Sequence, residues 1–500
     1  MPVNTLYCPS IAHLQLGEAF YTPVEPAAFP THTLRFRNDR WAARIGLDAL
    51  TDEEWISHFA AFEPLPGSFE RPLALKYHGH QFRHYNPDIG DGRGFLFAQV
   101  HENGTPEGRL LDLATKGSGQ TPYSRDGDGR LTLKGGVREV LATELLEARG
   151  VTTSKSLSLI ETGEALYRGD EPSPTRSAVL VRLGHSHIRF GTFQRAAFRG
   201  ETDALKRLVD YAIATYWPHA DSAPDPVAAF FGLVCRAVGQ QAAEWFAAGF
   251  VHGVLNTDNT VITGESFDYG PWRFLPFLDA QFTAAYFDQS GLYAFGRQPG
   301  ALHWNLQRLA DCLLPLSNEA ALVDELATFS PAFEARLSEM TRARLGLAPL
   351  DHQTDIAEPD PGQSDAASET PDDPLIASFY GALAKTRIGW ERAFFDLFAG
   401  AREDRRQRSP HAALYNDAHW SDAIAAIAAA PLAPDAETAL TSDAFTRNAP
   451  VDLLIDDVEA VWAQIARDDD WSAFEQTIAD MRAYGAAMRW PPRPAPFVRR

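Results

Sequence analysis

Cysteine is scarce in this 500-residue chain, and long hydrophobic runs are missing from it. The three cysteines, Cys8, Cys235 and Cys312, are far apart and odd in number, so we expect no disulfide framework and no disulfide-linked partner. No apolar run approaches the ~18 residues that a membrane-spanning helix requires. The first residues, MPVNTLYCPS, contain neither a basic region nor a hydrophobic core. We therefore expect no secretory signal and a cytoplasmic protein, whose Ala-, Arg- and Asp-rich composition is typical of bacteria.

Positive charge is also in short supply. The chain has 45 lysines and arginines against 66 aspartates and glutamates, a formal net charge of -21. Such an excess repels phosphodiester backbones and anionic membrane surfaces, so we expect neither nucleic acid nor membrane as a partner. A local cluster of basic side chains can still bind a nucleotide. The hydrophobic fraction of 45% and the charged fraction of 22% are ordinary for a globular protein, and the length allows about three domains.

The most informative segment is HGVLNTDNTVITGESFDYG, residues 252–270. Asp258 and Asn259 precede a run that favours a β-strand, residues 260–263, and Asp268 follows it. Kinase-like phosphoryl chemistry needs a carboxylate near the attacking hydroxyl, then an amide oxygen and a second carboxylate for the metal ions on the nucleotide. Each pair alone is typical of a turn. Both pairs in this order indicate a kinase-like site with unusual motifs.

A kinase-like site also needs a glycine-rich loop and a lysine on a strand. The sequence GDGRG, residues 90–94, opens a predicted strand over residues 94–100. A second predicted strand, residues 110–115, leads directly to Lys116. Glycine lets backbone N–H groups approach phosphate oxygens closely, so this hairpin suits a nucleotide cradle.

The remaining requirement is a glutamate on the following helix. Apolar residues at helical spacing predict a helix over residues 137–150, with Gly150 as the residue that ends it. Glu139 would lie in its first turn, where it could reach Lys116. The alternative is a solvated glutamate that the helix dipole stabilises.

The motifs around these residues are more specific than a generic kinase pattern. The chain contains KGSGQTPYSRDGDGR at residues 116–130, GDGR at 90–93, HGVLNTDN at 252–259 and DYGP at 268–271. Together they resemble the selenoprotein O family of protein adenylyltransferases. HGHQF from residue 78, SHIRFG from residue 186 and GRQPGALHWNLQRLA from residue 296 also match, in order, so that the resemblance runs from about residue 75 to 315.

The resemblance implies an α+β, protein-kinase-like bilobal fold with a β-rich N-lobe and a helical C-lobe. Members of this family have a pseudokinase fold that binds ATP in a flipped orientation. They transfer AMP to Ser, Thr or Tyr hydroxyls of proteins and release pyrophosphate; the family is also associated with UMP transfer. The implied partners are protein substrates, with self-modification included, and the implied cofactor is Mg²⁺ or Mn²⁺.

Carried over residue by residue, the resemblance also implies the site. Asp258 would be the proton acceptor, Asn259 and Asp268 would hold the metal, and Glu139 would hold Lys116. The residues implied to contact the nucleotide are Gly90, Gly92, Arg93, Lys116, Asp128, Gly129, Arg182, Arg189 and Asp268.

Arg182 and Arg189 have a physical rationale of their own. Attack on the α-phosphorus expels pyrophosphate, and guanidinium groups bind phosphate oxygens in a bidentate fork while staying charged. Without the motif, two arginines near a strand end would more simply be salt-bridged surface residues. With it, we expect them to grip the terminal phosphates.

The chain divides into five predicted regions. Residues 1–75 form an N-terminal extension, 76–195 a kinase-like N-lobe that binds the nucleotide, and 196–350 a helical C-lobe with the catalytic loop. Residues 351–374 are acidic, rich in Pro and Ser and nearly devoid of apolar side chains, which predicts a flexible linker. Residues 375–500 form a helical C-terminal region.

Three functions remain open at this point. The first is a metal-dependent protein adenylyltransferase, the second a conventional phosphotransferase with the nucleotide unflipped, and the third a non-catalytic ATP-binding pseudokinase scaffold. Retained metal ligands argue against the scaffold, and the arginine pair and GDGR loops favour the first function over the second.

The histidines are not expected to bind a metal, and the C-terminal residues are not expected to carry a reactive thiol. His78, His80 and His84 lack the spacing of a tetrahedral metal site and are expected to be structural, while His185 and His187 alternate on an extended segment that could line the pocket without binding a metal. Many family members end in a cysteine or selenocysteine, whereas no cysteine follows Cys312 here. Thiol chemistry at the C-terminus is therefore not expected.

Overall fold

A computed structural model describes residues 4–169, 171–350 and 373–493 of the chain. The architecture is α+β, with a large antiparallel sheet in the first part of the chain and many helices after it. The strands are β1 Pro9–Ser10, β2 Tyr21–Pro23, β3 Thr33–Arg37, β4 Leu73–Leu75, β5 Gly79–Gln81, β6 His84–Asn86, β7 Leu96–His101, β8 Leu110–Lys116, β9 Leu131–Thr132, β10 Lys155–Leu166, β11 Thr175–Gly184, β12 Phe250–Val251 and β13 Arg273–Phe274.

Helices dominate from residue 190 onward. They are α1 Asp39–Arg44, α2 Asp52–Phe59, α3 Leu133–Ala148, α4 Phe190–Phe198, α5 Thr202–Tyr216, α6 Pro226–Ala248, α7 Gln298–Leu313, α8 Glu319–Leu326, α9 Phe329–Arg344, α10 Pro374–Thr386, α11 Trp390–Ala401, α12 Glu403–Arg408, α13 Ser421–Ala429, α14 Ala436–Ala439, α15 Asp443–Thr446, α16 Ile455–Asp468 and α17 Ser472–Ala487. In the part of the chain that is described, none of these helices is both long and apolar enough to cross a membrane.

The large sheet has the strand order β2-β4-β7-β8-β11-β10-β3, with β1 paired to β7 and β9 paired to β11. Its central pair is β8 and β11, in which Lys116 lies opposite Leu180 and Ala114 lies opposite Arg182. Side chains alternate between the faces of a strand, and directly paired residues share a face. Lys116 and Arg182 therefore project from the same face of the sheet.

Both faces of the sheet are covered. Val179, Val181 and Leu183 of β11 belong to a core that includes Trp55 and Phe59 of α2. Ala178 and Leu180, which alternate with them, pack in a second core with Val137, Val140 and Leu141 of α3. Helix α3 thus covers the face that bears Lys116.

Helix α3 begins four residues earlier than the periodicity predicts. Thr132 caps it by accepting a hydrogen bond from the Gly135 backbone N–H at 3.1 Å. Two adjacent glycines indicate a turn in the sequence, but a Cβ on Gly136 would lie 2.4 Å from Leu159 Cδ1, so glycine permits close packing of the helix on the sheet. The prediction that Glu139 lies in the first turn is therefore wrong; it is the seventh residue of α3.

The strand expected over residues 260–263 is not present. Val261 makes an isolated antiparallel bridge to Arg189, supported by hydrogen bonds from Phe190 N to Thr260 O at 2.9 Å and from Ile262 N to Ile188 O at 3.1 Å. The pairing stops there because residue 190 already begins α4. The predicted strands 94–100 and 110–115 are confirmed as β7 and β8.

Two further predictions concern the N-terminal extension and the linker. The stretch predicted as an N-terminal extension contributes four strands, β1 to β4, to the large sheet. Of the predicted linker, residues 351–374, residues 351–372 lie outside the described residues; Asp373 caps α10, which begins at Pro374.

Candidate active site

Lys116 stands at the end of β8 and is almost fully buried, with 3% of its surface exposed. Its Nζ donates to Glu139 Oε1 on α3 and lies 3.1 Å from Asp268 Oδ1. Burial lowers the pKa of Lys116, and the two carboxylates counteract that effect. The predicted contact between Lys116 and Glu139 is present, and Asp268 joins it although it is far away in sequence.

Asp268 connects Lys116 to Arg182. Its Oδ1 accepts a hydrogen bond from Arg182 Nη1 at 3.1 Å as well as from Lys116. Burial opposes ionisation, but Lys116 and Arg182 hold the pKa of Asp268 well below its usual range. Its backbone is left-handed, with φ +64°, a conformation that aspartate tolerates better than most residues. The site thus holds an ionised carboxylate between two cations.

Arg189, just before α4, fixes the other side of the site. Its Nη2 donates to Asp91 Oδ1 at 3.0 Å, and its Nη1 donates to Tyr77 Oη at 3.1 Å and to the Asp258 carbonyl at 3.2 Å. The Nε atoms of Arg182 and Arg189 are buried and have no hydrogen-bond partner among the described residues. Both guanidinium groups therefore retain a donor for a further ligand.

Asp258 lies on a short 3-10 turn, Thr257–Asn259, between α6 and β13. Its Oδ2 accepts from Gln81 Nε2 at 3.4 Å, whereas its buried Oδ1 has no partner in the described part of the chain. Burial raises the pKa of Asp258 to about 6, against the opposing effect of Arg189. The carboxylate is thus held in place with one oxygen free.

The turn itself is anchored by Asn256 and Asn259. Asn256 Oδ1 accepts from the Phe82 backbone N–H at 3.0 Å and from Tyr293 Oη at 2.9 Å. Asn259 Nδ2 donates to the Val254 carbonyl at 3.1 Å, so the amide is oriented through its nitrogen and its oxygen remains as a possible metal ligand.

Two adjoining cavities lie among these residues. The smaller, of about 70 Å³, is the basic cavity, lined by Arg93, Lys116, Arg182, His187, Arg189 and Asp268 among others. The larger, the outer cleft of about 740 Å³, is lined by Gly90, Tyr123, Arg125, Asp128, Gly129, Arg168 and Asp258 among others. Tyr77, Gly92 and Arg93 line both. Of the predicted site residues, Glu139 and Asn259 line neither; Glu139 lies behind Lys116.

The loop with Asp128 and Gly129 forms one wall of the outer cleft. Asp128 receives two hydrogen bonds from Arg168, at 2.7 and 3.1 Å, and one from the Arg130 backbone N–H at 3.0 Å. Gly129 has φ +69°, and its carbonyl accepts from the Gly119 N–H at 3.1 Å. Because Arg168 and the Arg130 N–H already bond the carboxylate, Asp128 would contact a nucleotide either through an oxygen that also keeps one of these bonds or through its backbone.

Several lining residues were not predicted from the sequence. Asp91 and Arg125 lie inside the recognised motifs, so the motifs themselves could have indicated them. Tyr77 directly precedes the HGHQF motif, which could have indicated it, whereas Arg168 lies outside the motifs and only the folded chain brings it to the outer cleft.

The histidines have separate surroundings. His78 Nδ1 lies 2.8 Å from Tyr85 Oη, and His80 Nδ1 lies 2.7 Å from Gln194 Nε2. His187 lines the basic cavity, whereas His185 does not. Over the described ranges, no group of three or more His, Cys, Asp and Glu side chains is arranged to hold a metal ion.

Comparison with known proteins agrees with these motifs. The family described as protein adenylyltransferase SelO matches residues 3–482, well beyond the stretch from 75 to 315 over which the motifs are recognisable. The protein nucleotidyltransferase YdiU of Synechocystis sp. is 41% identical over 492 residues, which cover 96% of this chain and 98% of the relative.

Proteins of the same name in other bacteria are similar. The protein of Trichormus variabilis is 45% identical to this chain, and the matched region covers 79% of this chain and 77% of the relative. The protein of Vibrio cholerae is 37% identical to this chain, and the matched region covers 76% of this chain and 73% of the relative. With a family match over nearly its whole length, the chain belongs to the SelO family of protein adenylyltransferases.

Proposed function

We propose that this protein transfers AMP from ATP to Ser, Thr or Tyr hydroxyls of other proteins, with itself as a further acceptor, and releases pyrophosphate. The observation that carries the proposal is a basic cavity, formed by Lys116, Arg182 and Arg189, that opens beside a carboxylate with a free oxygen, Asp258. Membership of the SelO family supports the same reaction. UMP transfer from UTP is the variant that the family also suggests.

The distribution of charge favours a flipped nucleotide. The cations of the basic cavity would bind the β- and γ-phosphates, which leave as pyrophosphate, and the α-phosphate would then face the outer cleft and Asp258. Charge builds up on the leaving group in the transition state, and donors placed in advance where charge develops contribute strongly to catalysis. The spare Nε donors of Arg182 and Arg189 are suited to this role.

Asp258 would accept the proton of the attacking hydroxyl. Gln81 holds one carboxylate oxygen, the other has no hydrogen-bond partner among the described residues, and Asp258 lines the outer cleft. Arg189 bonds the Asp258 carbonyl and also lines the basic cavity, so one side chain ties the acceptor group to the phosphate-binding residues.

Asn259 and Asp268 would hold Mg²⁺ or Mn²⁺. An amide oxygen and an ionised carboxylate are hard donors, and Mg²⁺ commonly takes few protein ligands together with substrate phosphates. The low pKa of Asp268 fits a ligand that is charged at neutral pH. When bound, the metal would neutralise charge on the phosphate oxygens.

The same arrangement supports a kinase-like bilobal architecture, divided as the sequence predicts into residues 76–195 and 196–350. Lys116 and Arg182 project from the large sheet, and Asp258 and Asn259 follow α6 in the helical part. The nucleotide would then lie where the two parts meet.

A labelling experiment tests the proposal against a conventional kinase. ATP labelled at the α- or the γ-phosphate is incubated with the protein, Mg²⁺ or Mn²⁺ and a cell lysate. We expect label from α-ATP alone, and none with Asp268→Ala; Asp210→Ala, on the exposed face of α5, serves as the matched control. Label from γ-ATP would make the protein a kinase, and full activity of Asp268→Ala would contradict the metal site.

A further inference from the structure

His187 lines the basic cavity, yet the proposed reaction does not use it. It lies between β11 and α4, with 3% of its surface exposed. Its Nε2 is buried and has no hydrogen-bond partner among the described residues. Its ring meets Phe267, the neighbour of Asp268, edge to face with centroids 6.0 Å apart.

Asp112 holds His187 from the sheet. It lies on β8, on the same face as Lys116, and is fully buried. Its Oδ1 accepts from Gln99 Nε2 at 2.7 Å, and its Oδ2 accepts from the His187 backbone N–H at 2.8 Å and lies 3.4 Å from His187 Nδ1. The carboxylate thus holds the backbone of His187 by a hydrogen bond and lies beside its ring, whose Nδ1 makes no hydrogen bond within the described part of the chain.

The strand opposite Asp112 leaves room for the ring. The cross-strand partner of Asp112 is Gly184. A Cβ at Gly184 would lie 3.5 Å from His187 Cε1 and 3.1 Å from Glu265 Oε2. The imidazole therefore packs over the bare backbone of β11, two residues beyond Arg182.

A buried carboxylate is costly unless a cation accompanies it. In the described part of the chain, His187 is the one basic side chain with a nitrogen within 4.0 Å of Asp112. Burial lowers the pKa of the nearby His13 to about 4, so that His13 stays neutral. His187 is therefore the nearest basic side chain to Asp112, and either ring nitrogen of a histidine can carry a donor hydrogen.

We propose that His187, oriented by Asp112, binds the leaving pyrophosphate by donating a hydrogen bond from Nε2 to a terminal phosphate oxygen in the basic cavity. The inference rests on the proposed function, and it adds a third kind of donor beside Lys116 and the two arginines. No proton needs to move, because the hydrogen bond itself stabilises the charge of the leaving group.

Paired substitutions separate this role from a structural one. Asparagine at position 187 keeps an amide near the Nδ1 position, toward Asp112, but removes the Nε2 donor; glutamine places an amide near Nε2. We expect His187→Asn to weaken binding of inorganic pyrophosphate, measured by calorimetry on the full-length protein with Mg²⁺, by about 10- to 100-fold. His187→Gln should retain part of that affinity, and adenosine binding should change in neither variant.

His185→Gln is the matched control. His185 is half-buried, lies two residues away and does not line the basic cavity, so its replacement should leave pyrophosphate affinity unchanged. Thermal unfolding checks the fold of each variant. If His187→Asn does not fold, Asp112→Asn, which removes the orienting charge, should show the same loss of affinity.

Two results would overturn the inference: unchanged pyrophosphate affinity in His187→Asn, or equal losses in the Asn and Gln variants, which a packing role predicts. The outcome is distinct from failure of the proposed function. If the parent protein transfers label from γ-ATP and His187→Asn still weakens pyrophosphate binding, the phosphate contact of His187 is supported. Only the proposed adenylyl transfer is then wrong.

Discussion

At the scale of single residues, three cations of the basic cavity are already engaged by carboxylates. Lys116 and Arg182 share Asp268, and Arg189 binds Asp91. An incoming triphosphate would therefore compete with these carboxylates, or a metal on Asp268 would relieve the competition. The electrostatic potential in the basic cavity is therefore set by these nearby charges and not by the negative net charge of the chain.

Arg182 offers the cleaner test of leaving-group stabilisation, because Arg189 also positions Asp258. We expect Arg182→Gln to reduce kcat/KM for adenylyl transfer by about 10²- to 10³-fold, the effect of removing one donor that stabilises developing charge. Steady-state kinetics with α-labelled ATP measures it.

Arg176→Gln is the control for that substitution. Arg176 lies on the same strand as Arg182 but binds Glu161 and Asp469, away from the cavities. Its variant should transfer AMP at the parental rate. Equal activity in both variants would argue against pyrophosphate in the basic cavity.

Much of the residue-level site is readable from motifs, and the rest depends on distant contacts. The order of Lys116, Glu139 and Asp268 predicts a common site, and the structure brings the three together. The bond from Arg189 to the Asp258 carbonyl joins residues 69 positions apart, and Arg168, which bonds Asp128, lies outside every recognised motif. Such contacts follow from the fold and not from local pattern.

At the scale of elements, Gly129 shows how a loop is shaped to form the outer cleft. A Cβ there would lie 2.3 Å from the Gly119 carbonyl, and φ is +69°. We expect Gly129→Ala to displace the loop and raise KM for ATP while the melting temperature changes little, as measured by kinetics and thermal unfolding. Gly169→Ala, exposed and with no atom of the described residues within 4 Å of the added Cβ, should alter neither. An unchanged KM in Gly129→Ala would show that the loop does not bind the nucleotide.

Glu147, near the end of α3, links that helix to α1 and makes a pH-dependent contribution. It accepts from Arg40 at 2.8 Å and Trp41 at 2.9 Å and lies 3.6 Å from Lys155 Nζ. Burial opposes ionisation, but Lys155 and Arg40 lower the pKa of Glu147 from 4.5 to about 2. A lowered carboxyl pKa stabilises the fold above the unfolded value, and that stability is lost as pH falls through 4.5 toward 2.

Glu147→Gln should therefore destabilise the protein at pH 7, by an amount on the order of 3 kcal/mol. The difference from the parent should shrink by about 1.4 kcal/mol per pH unit below 4.5. Denaturant unfolding between pH 7 and 3.5 measures it, with Asp210→Asn, from an exposed pair with Lys206, as the near-neutral control. A difference that stays constant with pH would assign the effect to packing.

Element boundaries show where sequence periodicity stops being informative. The strands β7 and β8 and most of α3 follow from alternation and helical spacing. The periodicity does not predict the start of α3 because two adjacent glycines, of which Gly136 packs against Leu159, are typical of a turn. Residues 260–263 form no strand because their partner segment begins a helix. In each case tertiary packing decides the outcome.

At the scale of the whole molecule, the last described residues contact the elements that support the site. Helix α17 is tied to α3 by Arg482, which binds the buried Glu144 through two hydrogen bonds of 2.7 Å. Beyond it, Arg493 binds the buried Glu244 of α6 at 2.8 and 2.9 Å and donates to the Gly264 carbonyl at 2.8 Å. Sequence periodicity predicts only helices here, so this support for the site could not be foreseen.

Arg493 thus links α6 to the segment that leads to Asp268, and we expect Arg493→Ala to weaken both stability and transfer. Glu244 keeps Arg336 as a partner at 3.0 Å, so the loss in free energy of unfolding should be modest, about 1–3 kcal/mol. The transfer rate should fall several-fold, because the segment before Asp268 loses a tether. Arg489→Ala, which removes an exposed ion pair with Asp435, should change neither quantity. If the Arg493 variant loses stability but transfers AMP at the parental rate, the C-terminal segment supports the fold without positioning Asp268.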